Sequence, residues 1–172
     1  MNAPAPRIVV PAIGAALAGG FCLGHVFVDA APYALIVAPK AGGEHEPTVW
    51  NESRTKVKGA LGYFDGMANT RAMAEAGSDV AKWALEQRID GFDDWHIPSR
   101  QDLLVMRGNL EAAGAAFADN GREAFERDWY WSSTQYAAND AYAWFQSFGW
   151  GGQNDARKSN EYRVRLVRRL PI

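Results

Sequence analysis

A chain of 172 residues, nearly half of them apolar and 22% charged, has the composition of a folded protein able to bury a sizeable core, which excludes a disordered or low-complexity polymer. A formal net charge of -2 gives no general attraction for nucleic acid or anionic membranes, so neither is expected as a partner. Cys22 is the only cysteine, so one chain can form neither an internal disulfide nor a thiolate metal cluster, and the fold rests on its core.

From the N-terminus, Arg7 precedes an uncharged run, Ile8 to Gly24, that falls short of a comfortable membrane span and is interrupted or bounded by Pro11, His25 and Asp29. No membrane insertion is expected. A signal peptide cut after Ala30, with Val28 and Ala30 as its small residues, is one reading. A buried hairpin fits better, because Gly20–Val28 and Tyr33–Ala38 are β-prone and Asp29-Ala30-Ala31-Pro32 has turn chemistry. Ala41 to Pro47 reads as a loop, with structure resuming at Thr48-Val49-Trp50.

Met73, Ala76, Val80, Trp83 and Ala84 recur at helical spacing, which predicts an amphipathic helix over Thr70–Gln87 capped by Asn69 or Thr70. A second helix is predicted at Ser99, with Asp102 at the capping-box position and Leu103, Leu104, Met106 and Leu110 as its apolar contacts. Gly91 to Pro98 is too aromatic for a solvated linker and reads as a packed connection. Ala112 to Arg127, with Gly114 and Gly121 inside, reads as a loop or irregular helix. Beyond it lie β-rich segments: Trp129 to Gln135, the alternating Ala143 to Phe148, and the alternating Tyr162 to Leu170. One domain over residues 1–172 is expected, with 1–19 as an extension or oligomerisation arm.

Asp94-Trp95-His96-Ile97-Pro98-Ser99-Arg100, Tyr130-Trp131-Ser132-Ser133-Thr134-Gln135, Ala143-Trp144, Gly151 to Gln153, Lys158 and the ending Arg163-Val164-Arg165-Leu166-Val167-Arg168-Arg169 occur in that order. The ordered set resembles the C-type-lectin-like domains of phage tail-associated proteins, some bacterial adhesins and the variable proteins of diversity-generating retroelements. The likeness is densest from Gly91 to Ile172, with further matches at Ala34–Lys40, Asp65–Asn69 and Met73–Trp83. It implies an α+β fold with two helices and twisted antiparallel sheets, paired chain ends and a C-terminal display surface. Carried onto this chain, the implied ligand-binding residues are Tyr136, Asn139, Asp140, Tyr142, Phe145, Ser147, Trp150, Asn154, Asp155, Arg157, Asn160 and Tyr162.

The chemistry of that set suits recognition, since aromatic rings give contact area at little entropy cost while Asn and Asp adapt their hydrogen bonds. Alternation along Ala143–Phe148 assigns Trp144, Gln146 and Phe148 to one face and Phe145 and Ser147 to the other. The expectation is that Trp131, Trp144, Phe148, Val164 and Leu166 form scaffold while Phe145 and Ser147 are presented. The alternative makes Phe145 and Trp150 a second core layer and the Asn, Asp and Gly residues plain turn formers.

Catalysis finds no residues to carry it. No G-x-S-x-G elbow, H-E-x-x-H helix or P-loop occurs. Relatives that convert a cysteine to formylglycine use a cysteine pair, whereas Cys22 is alone in an apolar run. Glu44-His45-Glu46 reads as a solvated loop, because neighbours on an extended chain point to opposite faces. His96 and His25 read as structural. The Glu-Pro-Asn, Gln-Pro-Asp and Trp-Asn-Asp triplets of calcium-dependent lectins are absent, and Gln153-Asn154-Asp155 alone does not assign a metal. No cofactor is expected. Six of the eighteen basic residues fall between Arg157 and Arg169; Arg163, Arg165 and Arg168 read as a solvated or ion-paired strand face, and Arg157 and Lys158 as parts of the display loop within reach of a ligand.

The resulting expectation is a non-enzymatic receptor-binding protein of a phage tail, contacting a bacterial surface protein or glycan and other tail proteins, as a homo-oligomer such as a trimer. A secreted or surface adhesin and a structural or oligomerisation subunit of the tail are the alternatives.

Overall fold

In the computed structural model, which describes residues 9–172, the apolar N-terminal run doubles back at Asp29 and Ala30, whose φ angles are 48° and 63°. Two successive positive φ values make the two-residue turn whose twist matches paired strands. Strand β2 (Gly20–Val28) therefore pairs with β3 (Ala31–Val37) from Val28↔Ala31 inward, as expected for the hairpin. A short β1 (Ala16–Leu17) pairs with β2, and Gly14 N–H donates to the Cys22 carbonyl, so this part of the expected arm packs on the sheet. Residues 1–8 of that arm lie outside the described residues.

A tight turn over Lys40–Gly43 (α1), non-helical at Ala41 and Gly42, leads straight into β4 (Glu44–Val49), where the expected loop runs on to Pro47. The strand forms because Glu44 stands opposite Arg165 in register and binds its guanidinium, while the His45 ring packs edge-on against Trp83 at 4.7 Å. Pro47 is accommodated by the register irregularity between His45 and Thr48 on this edge strand.

The predicted helix over 70–87 is two helices, α2 (Gly66–Glu75) and α3 (Asp79–Glu86). Gly77 at φ 90° breaks the chain direction, and buried Ser78 donates its hydroxyl to the Trp50 carbonyl at 2.6 Å. Periodicity survived the break because both segments face one core. The cap of α2 is Asp65, accepting from Ala68 N–H, rather than Asn69 or Thr70, which lie buried inside the helix. Helix α4 (Arg100–Asn109) begins at Ser99 with both hydrogen bonds of a capping box to Asp102, as predicted. A 3-10 turn, Leu110–Ala113, follows, then an irregular stretch that inserts Phe117 and Phe125 into the core.

The remaining strands are β5 (Trp129–Gln135), β6 (Tyr142–Ser147), β7 (Gln153–Arg157), β8 (Glu161–Arg165) and β9 (Val167–Pro171). They complete a four-stranded sheet, β1-β2-β3-β9, and a five-stranded sheet, β4-β8-β5-β6-β7. The alternating run Tyr162–Leu170 is thus divided at Leu166, whose N–H and carbonyl bond Gly43 and Ala38 as the chain crosses between sheets. Antiparallel pairing of β3 with β9 joins the N-terminal hairpin to the last strand. The architecture is α+β, of the C-type-lectin-like kind.

Two cores hold these layers. One gathers Trp50, Trp95, Met73, Val80, Ile97, Trp131 and Val164; the other packs Leu23, Leu35 and Val37 on Leu103, Met106, Tyr130 and Val167. Trp50, Trp95 and Trp131 are fully buried, and each removes about 150–250 Å² from water. Trp131 Nε1 donates to the Thr48 carbonyl and Trp50 Nε1 to that of Ser132, which ties β4 and its sequel to β5. Cys22 is buried and free, consistent with a small hydrophobe. Among the described residues no helix is long and apolar enough to cross a membrane.

Candidate binding surface

The β6–β7 hairpin sets the geometry of the C-terminal segment. Its register pairs Tyr142 with Arg157, Trp144 with Asp155 and Gln146 with Gln153, so these six side chains share one face. Arg157 Nε donates to the Tyr142 hydroxyl at 3.3 Å, and the Tyr136 ring meets Trp144 edge-on at 5.2 Å. Between β5 and β6, Asn139 folds the loop through its carboxamide oxygen, which accepts from Ala141 N–H at 3.0 Å. That turn leaves Asn139 and Asp140 exposed beside Tyr136 and Tyr142, which are half-buried.

Of the twelve expected ligand-binding residues, Tyr136, Asn139, Asp140, Tyr142, Asp155 and Arg157 come together here. Trp150 is 63% exposed at the β6–β7 turn, and its ring lies over Gly152, where a Cβ would sit 1.8 Å from the ring. A side chain at position 152 would displace this exposed ring. Asn154 and Asn160 are exposed but belong to the opposite side of the hairpin, Asn160 donating to the Tyr162 hydroxyl at 3.0 Å.

Three residues are not presented. Phe145 and Tyr162 are each 6% exposed and pack edge-on at 5.1 Å, with Tyr162 also against Trp131 at 4.4 Å. Ser147 is 1% exposed and builds the turn, its hydroxyl accepting from Trp150 N–H. The period of two along β6 holds, and Gln146 and Phe148 are buried as expected of scaffold, but Phe145 and Ser147 are interior too and only Trp144 is partly open. The physical reason is that β5 brings Trp131 opposite Phe145 and so makes that face interior, while Trp144 on the other face is only half-covered. Lys158, placed in the display loop by sequence, is also fully buried: its ammonium donates to Gln135 Oε1 at 2.7 Å and the Thr55 carbonyl at 2.9 Å, 4.6 Å from the Trp50 ring centroid. Burial lowers its pKa to about 8.

The arginines of the C-terminal strands are ion-paired as expected but largely desolvated. Arg165, fully buried, bridges Glu44 and Glu123 at 3.1 and 3.0 Å. Arg168 grips Asp94, and Arg169 meets both oxygens of Asp102. These cations link sheets, helix and connection rather than face a ligand. His96 is buried, with Nδ1 3.2 Å from the Asp94 carbonyl, and its pKa is lowered chiefly by that burial.

Residues from outside the predicted segment complete the surface. Arg100, at the start of α4, lays its guanidinium 3.6 Å from the Trp144 ring centroid and 4.9 Å from that of Tyr63. Arg100 Nε donates to Gln153 Oε1 at 2.9 Å, and Gln153 Nε2 returns a bond to the Arg100 carbonyl at 2.8 Å. Tyr63 and Phe64 are 41% and 53% exposed on a loop held by the Asn69 carboxamide, which exchanges two hydrogen bonds with Gly62. Adjacent aromatics between Gly62 and Gly66 were the signal available in sequence; Arg100 stood out only as the end of the Asp94–Arg100 motif, behind a helix cap.

Among the described residues no group of three or more His, Cys, Asp or Glu is placed to hold a metal ion. In β7, Asn154 points away from Gln153 and Asp155, so the three oxygens diverge. A cavity of about 440 Å³ lies elsewhere, lined by Lys40, Asp119, Phe125 and Arg127 among others. The candidate surface is an aromatic and polar face of half-buried rings and an arginine.

A comparison with curated proteins finds no match. The family model described as Lcl C-terminal domain matches residues 44–168. The chain belongs to the Lcl C-terminal domain family, a C-type-lectin-like family found in phage tail proteins and in the variable proteins of diversity-generating retroelements.

Proposed function

We propose that this protein is a non-enzymatic receptor-binding component of a phage tail, which holds a bacterial surface protein or glycan through the face carrying Tyr63, Arg100, Tyr136, Tyr142, Trp144, Asp155 and Arg157. Membership of a ligand-binding, C-type-lectin-like family supports the class of function. The observation that carries the reading is the concentration of half-exposed aromatics and arginine on one face, anchored by buried cores on the other side. Tyr, Trp and Arg are the residue types enriched where binding energy is concentrated. On a tail such modules act in several copies, and avidity converts weak single contacts into stable attachment. A homo-oligomer, such as a trimer in the virion, follows from that requirement.

Adsorption of labelled protein to host cells tests the reading. Tyr142→Ala and Tyr136→Ala are expected to keep the fold and lose most adsorption, whereas unchanged adsorption by both removes the face from consideration. A secreted or cell-surface adhesin is tested by the same assay with eukaryotic or abiotic surfaces. A second reading, a structural subunit of the tail, draws on Phe27, which is 61% exposed near the β2–β3 turn. If Phe27→Ser dissociates an oligomer while the tyrosine variants adsorb normally, that reading replaces the first.

A further inference from the structure

Arg100 is held like a tool with its working end free. Two aromatic rings fix its plane, Trp144 at 3.6 Å and Tyr63 at 4.9 Å, and Gln153 fixes its rotation through Nε. The backbone is fixed as well, with Arg100 N–H donating to Thr134 Oγ1 and the carbonyl accepting from Gln153. Among the described residues, Arg100 enters none of the ion pairs that occupy Arg163, Arg165, Arg168 and Arg169, and Nε alone makes its side-chain hydrogen bond. Both Nη groups of a half-buried, immobilised guanidinium are thus left without a protein acceptor.

An arginine so constrained has already lost the rotamer freedom that ordinarily opposes binding. Its planar pair of Nη donors matches the two oxygens of a carboxylate, and charge-assisted bonds of that kind are about twice as strong as neutral ones. The rings that clamp it exclude water from its faces and leave the edge as the approach. We infer that Arg100 is a receptor for the carboxylate of an Asp or Glu side chain on a protein partner. This rests on the receptor-binding reading and names the chemistry of its partner. A protein is favoured over a glycan because Arg100 occupies faces of Trp144 and Tyr63 on which a pyranose ring would otherwise stack. Beside the clamp lie Tyr136, edge-on to the Trp144 ring, and Tyr142, two positions along the same strand face, aromatic neighbours of the kind found in protein-binding hot spots.

The test is a titration of the isotopically labelled full chain with a random Glu-Tyr copolymer, following the Arg100 Nε and Nη resonances, with polygalacturonate as the glycan arm. The copolymer is expected to move the Arg100 signals saturably. Arg100→Lys keeps the charge but not the fork, and is expected to bind the copolymer at least about tenfold more weakly. Tyr63→Ala, which removes one exposed clamp, is expected to weaken binding by a smaller factor. Silent Arg100 signals, or equal binding by folded Arg100→Lys, overturn the inference, as does a response to polygalacturonate alone. If Arg100→Lys adsorbs to cells like the unaltered protein while Tyr142→Ala does not, this inference fails and the receptor-binding reading stands. If the unaltered protein does not adsorb, the receptor-binding reading fails, and the titration on purified chain still decides the carboxylate site.

Discussion

Lys158 Nζ lies 2.7 Å from Gln135 Oε1 and makes no ion pair with a carboxylate among the described residues, although the residue is fully buried. Its neighbours are two oxygen acceptors and the Trp50 ring, which together replace water as the surroundings of the ammonium. The arrangement draws the segment around Thr55 onto the end of β5.

That burial has a measurable pH signature. The folded chain releases the Lys158 proton at about 8, whereas an unfolded chain keeps it to the ordinary 10.5. Between those values the unfolded state holds more protons, so stability rises with pH across this window and is flat below it as far as this group is concerned. Thermal melts from pH 7.5 to 10 are expected to show a rising component in the unaltered protein that Lys158→Met lacks. Parallel profiles for the two would mean that the ammonium is not desolvated.

His96 acts at the other end of the scale. Burial depresses its pKa below the ordinary 6.5, partly opposed by the Asp102 charge, with Arg169 adding to the depression and Asp65 opposing it. The unfolded chain therefore takes up the proton first, and stability is lost as pH falls below about 6.5. Denaturation midpoints at pH 7 and pH 5 are expected to differ more in the unaltered protein than in His96→Gln.

The network of Arg165, Glu44 and Glu123 predicts a large structural effect. Glu123 Oε2 accepts from Arg165 and from Lys40 N–H at 2.7 Å, so removing it takes one of two carboxylates from a fully buried cation, leaving Glu44, and strips the Lys40 N–H of its acceptor. Glu123→Ala is expected to cost about 3–5 kcal/mol, read from urea denaturation, against within about 0.5 kcal/mol for an exposed pair member such as Asp79→Ala. Equal costs would show that the network is not desolvated.

Interior and surface aromatics of the C-terminal segment should separate in one experiment. Phe145→Ala and Tyr162→Ala are expected to lose about 3–5 kcal/mol of stability, because each empties a packed site. Trp150→Ala and Tyr142→Ala are expected to melt close to the unaltered protein, and Tyr142→Ala to lose adsorption as well. A Tyr162→Ala variant that melts normally would return that residue to the surface.

Much of the fold was legible because local chemistry and core periodicity agreed. Asp29-Ala30-Ala31-Pro32 marked the hairpin turn, which closes on Asp29 and Ala30; Ser99 with Asp102 marked the start of α4; and period-two alternation marked β6 and the β8–β9 run, while β7 lies where a display loop is expected. Local rules missed the break at Gly77, since α2 and α3 keep one apolar face across it, and missed β4, whose partner Arg165 lies 121 residues away.

The sequence by itself determined the family, the class of fold and the presence of an aromatic, Asn- and Asp-rich C-terminal segment, because these reside in ordered residue types and spacing. Tertiary structure decided which of those residues are shown. A period of two states that Trp144 and Phe145 point opposite ways, but only the placing of Trp131 and Tyr162 against Phe145 makes that side interior. Likewise, only the packing of α4 on β6 and β7 sets Arg100 against Trp144 and Gln153, a surface assembled from parts far apart in the chain.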